Sequence, residues 1–413
     1  MSASEVSPAR TPLRGIVPLY VVVFVGFLGY SLMIATFTPM LLGDDGSWLP
    51  ASTSTSERTL VLGVLLCLYP LGQFLGSPVL GALSDRFGRR RILIGTLAAT
   101  TGWYAVIALS LELTSLPLLM VASFCAGLSE ANVVTAQGAI ADRAPPEDRS
   151  RLFGYIYLSA SLAYVVGPLA GGKLADPGLA SWTGYPTPYW VVFVLLALTL
   201  GWVALRFRDP PDFRPATEIR YLEAFTNLKW VVLDRRLRIF YLVNFLLYLA
   251  IFGFFRTYPM YLVDEFGMGV SQLSEYVAYV AVPIVIANVW LVAALSRRMA
   301  PRTMVVIFGL ATGIFMTTIV IPAATVGLWF TLFPTALALA VVLPSCAALL
   351  SMSATDAEQG RVMGNNQSLQ VGAEAMSGIV GGGLAAIAFK LPLLSLAGVA
   401  VAGSLLLAAV RRR

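Results

Sequence analysis

The sequence predicts an all-α membrane protein whose twelve transmembrane helices form two pseudo-symmetric six-helix halves. Composition is the first ground: 58% of the 413 residues are hydrophobic and 12% are charged, whereas a soluble domain carries about 25% charged residues. The second is length, because apolar runs of about 20 residues, enough for one bilayer crossing each, recur along the whole chain. The third is an internal echo. Arg151, Gly154, Gly171 and Gly172 return 210 residues later as Arg361, Gly364, Gly381 and Gly382, each set opening and punctuating an apolar run.

In chain order the crossings are expected at 15–42, 59–83, 92–111, 116–140, 152–174 and 188–205, then at 239–262, 273–295, 304–321, 326–350, 362–389 and 392–410. Residues 1–14 read as a cytoplasmic tail, since they lack a cleavable signal's apolar core. Residues 15–205 form the first half and 239–410 the second. Between them, 206–238 is a cytoplasmic linker with eight basic residues, and 411–413 is a basic cytoplasmic end.

Of the 28 Lys and Arg, all but Arg58, Lys173, Arg256 and Lys390 fall on one side of this topology, which the positive-inside rule makes cytoplasmic. The net charge of +6 therefore encodes orientation. Nucleic-acid binding would need basic residues gathered on one soluble face. Cys67, Cys125 and Cys346 lie inside apolar runs without the paired spacing of a disulfide framework or metal site. Histidine is absent, so proton chemistry must use carboxylates, and no metal or cofactor is expected. The chain has no G-x-x-x-x-G-K-[ST] phosphate loop and no nucleophile–base pair, which argues against ATP-driven transport and against a membrane enzyme.

The boundary of the second and third crossings holds Gly81-Ala82-Leu83-Ser84-Asp85-Arg86-Phe87-Gly88-Arg89-Arg90-Arg91. A stop-transfer patch would explain its arginines but not Asp85 or the two glycines. This G-x-L-S-D-R-x-G-R-R pattern resembles the signature loop of major facilitator superfamily transporters. The resemblance implies a cytoplasmic gate in which Asp85 caps the start of the eleventh crossing near Gly360 and Arg361. Gly81, Arg86, Gly88, Arg89 and Arg90 belong to the same gate, together with Asp142, Arg149 and Arg151 after the fourth crossing. In the fifth crossing Gly154, Gly167, Pro168, Gly171 and Gly172 resemble the motif of the antiporter branch, with Ala163 where glycine is usual; a tightly packed helix pair is the alternative reading of these small residues.

The run from Ala136 and Gln137 to Asp142 and Arg143, followed by Arg149 and Arg151, looks like the tetracycline/multidrug:proton antiporter branch. The likeness covers the first half well and the second only in helix count and glycine echo. Ser123 stands where that branch has arginine, and Gly26 where tetracycline exporters carry an acid, so the usual proton arrangement is not simply inherited. The resemblance implies a proton-coupled exporter of small amphipathic or drug-like compounds, working by alternating access as a monomer in a bacterial inner membrane. Its partners would be a small-molecule substrate, protons and lipid.

Polar residues at membrane depth persist mainly where they face a cavity or a partner. Glu130 lies near the midplane of the fourth crossing, about ten residues from its cytoplasmic end. Ser123, Gly127 and Gln137 share its face, which is expected to line the central cavity. In the eleventh crossing Asn366, Gln367, Gln370, Glu374 and Ser377 form a stripe, with Glu374 near midplane. Burial disfavours a charged carboxyl, so Glu130 and Glu374 are the expected proton carriers. A buried acid that only fixes helix packing is the competing reading for each. Asn244, Tyr248, Arg256, Tyr279 and Asn288 complete the expected substrate cavity, with Arg256 about 8 Å or more nearer the outer surface than either acid by helix rise. Two other functions remain open here, an uptake symporter for a polar or anionic metabolite held by Arg256 and a transporter-derived receptor.

Overall fold

The computed structural model describes residues 16–43, 48–130, 132–141, 146–209, 229–355 and 358–410. The N-terminal tail, most of the linker and the basic C-terminal end lie outside the described residues. The first six crossings are α1 (Val17–Leu42), α2 (Thr55–Phe87), α3 (Arg89–Glu112), the pair α4 (Leu116–Ser129) and α5 (Asn132–Ala141), α6 (Pro146–Ala175) and α7 (Thr187–Arg206). A short α8 (Lys229–Leu233) precedes α9 (Arg238–Phe266). Then come α10 (Val270–Ile286), continued through a π turn at Ala287–Leu291 into α11 (Val292–Ser296), α12 (Pro301–Thr318), α13 (Thr325–Ser353), α14 (Gln359–Ala385) and α15 (Lys390–Ala409). Among the described residues nine helices are long and apolar enough to cross a bilayer. The α4–α5 pair, α6 and α14 supply three further segments of crossing length.

Local chemistry sets the helix ends. Ser54 and Glu57 form a reciprocal capping box at the start of α2, with Glu57 Oε2 accepting from the Ser54 N–H at 2.8 Å, which fixes two otherwise unpaired donors. Two hydrogen bonds from Ser54, backbone first, hold the Glu57 carboxyl below its ordinary value. Gly267 ends α9 in the left-handed conformation at φ 61°, a backbone state that glycine adopts without Cβ strain. The π turn in the eighth crossing follows Pro283; proline lacks the N–H needed for the regular ladder.

Two separate cores match the two expected halves. One is built almost wholly from side chains between Ile16 and Phe207, the other from side chains between Val243 and Leu407. The glycine echo has a geometric counterpart. A Cβ on Gly171 would press into Leu32 of α1, and one on Gly381 into Thr257 of α9, the first helix of each half. A Cβ on Gly172 would lie 2.2 Å from the Ser274 Cβ of α10, and one on Gly382 would lie 2.7 Å from the Gly63 Cα of α2. Each second glycine thus packs on the other half's second crossing, as a pseudo-twofold axis requires.

These inter-half contacts lie at the end of the bundle remote from the Asp85 hairpin. Lys173 joins them with an ion pair to Glu275 at 2.5 Å and a hydrogen bond to Ser271 at 2.8 Å, and Ser56 donates to the Ala386 carbonyl at 2.7 Å. At the hairpin end, ion pairs join Arg89 with Asp85 in the first half, and Arg236 of the linker and Arg361 of the second half with Glu358.

Candidate substrate and proton site

Glu130 sits at the break between α4 and α5. Its backbone leaves helical geometry at ψ 32° while its N–H still reaches the Gly127 carbonyl at 3.1 Å. The side chain is 2% exposed, and Oε2 has no hydrogen-bond partner among the described residues. No cation pairs with it there. The rest of the expected cavity face differs. Ser123 is fully buried, and a Cβ on Gly127 would meet the Tyr69 carbonyl oxygen of α2 at 2.0 Å. That face packs against α2 instead of lining a cavity, because small residues let the two backbones touch. The Gln137 side chain lies outside the described residues.

Glu374 is in a different environment. The Tyr30 hydroxyl of α1 donates to Glu374 Oε1. Arg256 of α9 donates through Nη2 to the same hydroxyl and approaches Glu374 Oε1 at 3.5 Å. Arg256 is therefore beside Glu374, which corrects the expected axial separation. The cause is helix length: α9 runs to Phe266 instead of 262 and α14 stops at Ala385 instead of 389, so both side chains lie about 15–17 Å deep by helix rise. The Tyr30 ring stacks on Tyr69 with centroids 4.8 Å apart, and the Arg256 guanidinium carbon stands 5.6 Å from the Tyr30 ring centre. A buried cation is held by paired charge and aromatic faces together. Tyr164 of α6 packs against Phe27 of α1 with ring centroids 5.7 Å apart. Tyr30 and Tyr164 were not singled out by sequence, since a tyrosine inside an apolar run carries no spacing signal.

The remaining expected cavity residues separate into groups. Asn244 donates to the Cys346 carbonyl at 3.0 Å and to Asn366 Oδ1 at 3.1 Å, and Tyr248 donates to the same Oδ1 at 3.0 Å. This buried cluster ties α9 to α13 and α14 within the second half. Tyr279 donates to the Trp329 carbonyl at 2.8 Å and so faces α13. Asn288 is exposed in the π turn, Gln367 is exposed, and Gln370 is half-buried. The structure thus brings Arg256 and Glu374 together, and holds Asn244, Tyr248 and Asn366 as a separate packing network.

At the hairpin, Asp85 pairs with Arg89 at 2.6 Å. Among the described residues Arg361 binds Glu358 at 3.0 Å and stands 5.0 Å over the Trp230 ring, and Gly360 faces open space. Arg89 also donates to the Ser84 hydroxyl at 2.6 Å, and its guanidinium covers Gly138 of α5. Ser84 donates to the Gly81 carbonyl at 2.8 Å, and Arg86 lies in the last turn of α2. Arg90 donates through Nε to the Phe207 carbonyl at 2.7 Å and through Nη2 to the Ala204 carbonyl at 2.6 Å. Its backbone N–H donates to Asp209 Oδ1 at 2.8 Å. Asp209 thus caps α3 while Arg90 caps α7, each opposing the charge of a helix end. Asp142 and the Arg149 and Arg151 side chains lie outside the described residues. In the fifth crossing Gly154 meets open space, Pro168 is buried, and Gly167 packs on Ser31 and Leu28 of α1.

Comparisons with known proteins agree with this architecture. A sequence profile described as Major Facilitator Superfamily matches residues 19–369 and 240–413. The class C tetracycline resistance protein of Escherichia coli is 29% identical over 321 residues, spanning 74% of this chain and 75% of that protein. Among solved structures, the human organic anion transporter MFSD10 (TETRAN) superposes with a TM-score of 0.70 at 21% identity, covering 95% of this chain and 99% of that one. The D-xylose-proton symporter superposes with a TM-score of 0.75 at 16% identity, covering 95% and 97%.

Proposed function

The chain belongs to the major facilitator superfamily of membrane transporters, and from that premise we propose that it exports small amphipathic, drug-like compounds in exchange for protons. The observation that carries the proposal is Glu130, a buried carboxyl with an unpartnered oxygen and no cation beside it among the described residues. Nothing there compensates a negative charge, so the group is held by taking up a proton, and it gives that proton up when its surroundings become wet. Similarity to tetracycline resistance proteins supports drug-like compounds as the substrate class.

Alternating access is the mechanism of this proposal, and the contacts between the halves support it. Closure at the end remote from the hairpin, where Lys173 pairs with Glu275 and Ser56 donates to the Ala386 carbonyl across the halves, supports an inward-open state. The α4–α5 pair, α6 and α14 complete twelve crossings, with both termini cytoplasmic, the halves divided at 206–238, and a bacterial inner membrane as the location. Uptake of an anion at Arg256 is the weaker reading, because that guanidinium is already engaged by Tyr30 and Glu374.

Reconstituted vesicles loaded with a candidate drug and given a pH gradient in either direction test the proposal. Export is expected only when protons run down their gradient against the substrate. Substrate and proton moving together would replace the antiporter with a symporter, and no flux of any compound would leave a receptor.

A further inference from the structure

Where α3 ends and α7 begins, remote from the hairpin, the first half carries a groove of about 570 Å³. Its acid is Glu112, and its walls include Trp182, Trp190, Val191, Val194 and Leu195. The Trp190 indole N–H donates to Glu112 Oε1 at 2.8 Å, which fixes the carboxylate at the level of that ring. Among the described residues no cation pairs with Glu112. Trp182 is 66% exposed and Val194 51%, so the groove lies open at the surface, and its apolar exposed wall on a crossing helix suits contact with lipid.

Depth sorts the lining by chemistry. Tryptophans gather at headgroup level in membrane proteins, and Trp190 holds Glu112 at that level. Val194 lies one helical turn deeper on α7, about 6 Å, and Leu195 beside it. The groove is therefore polar at its head, where Glu112 stands with Ser181, Thr183 and Thr187, and apolar deeper along α7.

We propose that this groove binds an aminophospholipid of the leaflet remote from the hairpin, its primary ammonium donating to Glu112 and an acyl chain lying along Val191, Val194 and Leu195. A phosphatidylglycerol head would bring net negative charge to the carboxylate without a compensating cation. A phosphatidylcholine head has a cation but no N–H to donate, so it forfeits the charge-assisted hydrogen bond. The site depends only on the chain's place in a membrane and is independent of what it transports.

The test is native mass spectrometry of the full-length protein, stripped of lipid and exposed to equimolar phosphatidylethanolamine, phosphatidylcholine and phosphatidylglycerol. The wild type is expected to retain phosphatidylethanolamine about tenfold better than the other two, the scale of one hydrogen bond to a charged group. Glu112→Gln should erase that preference, and Trp182→Ala should weaken retention of all three. Glu57→Gln, which removes an exposed acid at the same end of the bundle, should leave the preference intact. Equal retention of the three lipids by the wild type, an unchanged preference in Glu112→Gln, or an equal loss in Glu57→Gln would overturn the site and leave annular lipid.

Discussion

Tyr30 of α1 donates its phenolic hydrogen bond to Glu374 of α14, so one half of the molecule holds a partly buried carboxylate of the other. Arg256 reaches the same hydroxyl from α9. Any motion that parts the halves at this level must break both contacts. A carboxylate stripped of its donors in a dry interface is costly, so Glu374 opposes opening while charged and opposes it less once protonated.

Tyr30→Phe keeps the ring stack on Tyr69 and deletes only the hydroxyl. Hydrogen bonds to charged groups contribute about 1.5–3 kcal/mol, so the balance between states should move roughly tenfold or more away from closure at the end remote from the hairpin. Spin labels at Ser52 and Ile387, both exposed at that end, would report a longer distance population. An unaltered distance distribution would show that the phenol is packing alone.

The inter-half glycines give a second expectation. A valine at Gly172 would drive its Cβ into Ser274, and a valine at Gly382 into the α2 backbone at Gly63. Although the two sites sit in opposite halves, both substitutions should displace the same equilibrium toward opening at the remote end, read by the same label pair. Gly154→Val faces open space and should leave the distances as they are. Opposite shifts from Gly172→Val and Gly382→Val would break the pseudo-twofold argument.

The helices and the halves were legible because both are written in periodic signals: apolar runs of bilayer length, basic residues segregated to alternate loops, and the glycine echo. The acids were legible because charge at membrane depth is conspicuous. Their surroundings were not. Counting helix rise from a crossing end at 262 put Arg256 too near the surface, since the apolar pattern fades before α9 does at Phe266. Gly127 looked like part of a cavity face, but a glycine marks a cavity and a backbone contact alike, and only the Tyr69 carbonyl decides between them. Asp209 falls inside the expected linker 206–238; its capping of α3 depends on the start of α3 lying beside the end of α7, which no local pattern encodes.

That reciprocal cap is open to a thermal test. Gly88 adopts φ 97°, and a Cβ there would come within 2.6 Å of Asp209 Oδ2. Gly88→Ala therefore strains the backbone by about 1–3 kcal/mol and disturbs the cap as well. Asp209→Ala removes the cap at about 1 kcal/mol. Both should lower the melting temperature, and the double variant should lose less than the sum because the two share one contact. Full additivity would separate the two residues, and an Asp209→Ala protein melting like the wild type would remove the cap.

Glu358, in the loop before α14, accepts hydrogen bonds from the Thr355 hydroxyl at 2.7 Å and from Arg236 at 2.7 Å. Thr355 first and Arg236 second lower its carboxyl to about 2 from an ordinary 4.5. With the folded value depressed, the stability it adds is complete above about pH 4.5 and fades as pH falls through about 2. The melting-temperature gap between wild type and Glu358→Gln should close over that interval. Salt should narrow it, because the pair is solvent-screened. A gap that widens on acidification would contradict the assignment.

The decisive expectation concerns Glu130. Glu374 has Arg256 and Tyr30 to stabilise its charge, whereas Glu130, at the break of the fourth crossing, has an oxygen without a partner among the described residues. A group that exchanges protons in every cycle must be stable neutral when dry and able to ionise when wet, which fits the acid without a cation better than the acid with one. Glu130→Gln keeps the size and most of the hydrogen-bonding capacity while removing the titrating proton. Binding and downhill exchange of substrate should therefore survive, since neither needs a net proton transfer. Uphill transport driven by a pH difference alone should vanish, because each turnover would return without its proton. The corresponding Glu374→Gln protein should instead lose closure at the remote end, as Tyr30→Phe does, and change the label distances that Glu130→Gln leaves alone. Vesicles in which Glu130→Gln still concentrates substrate on a pH gradient would make Glu130 a packing acid and return proton coupling to Glu374.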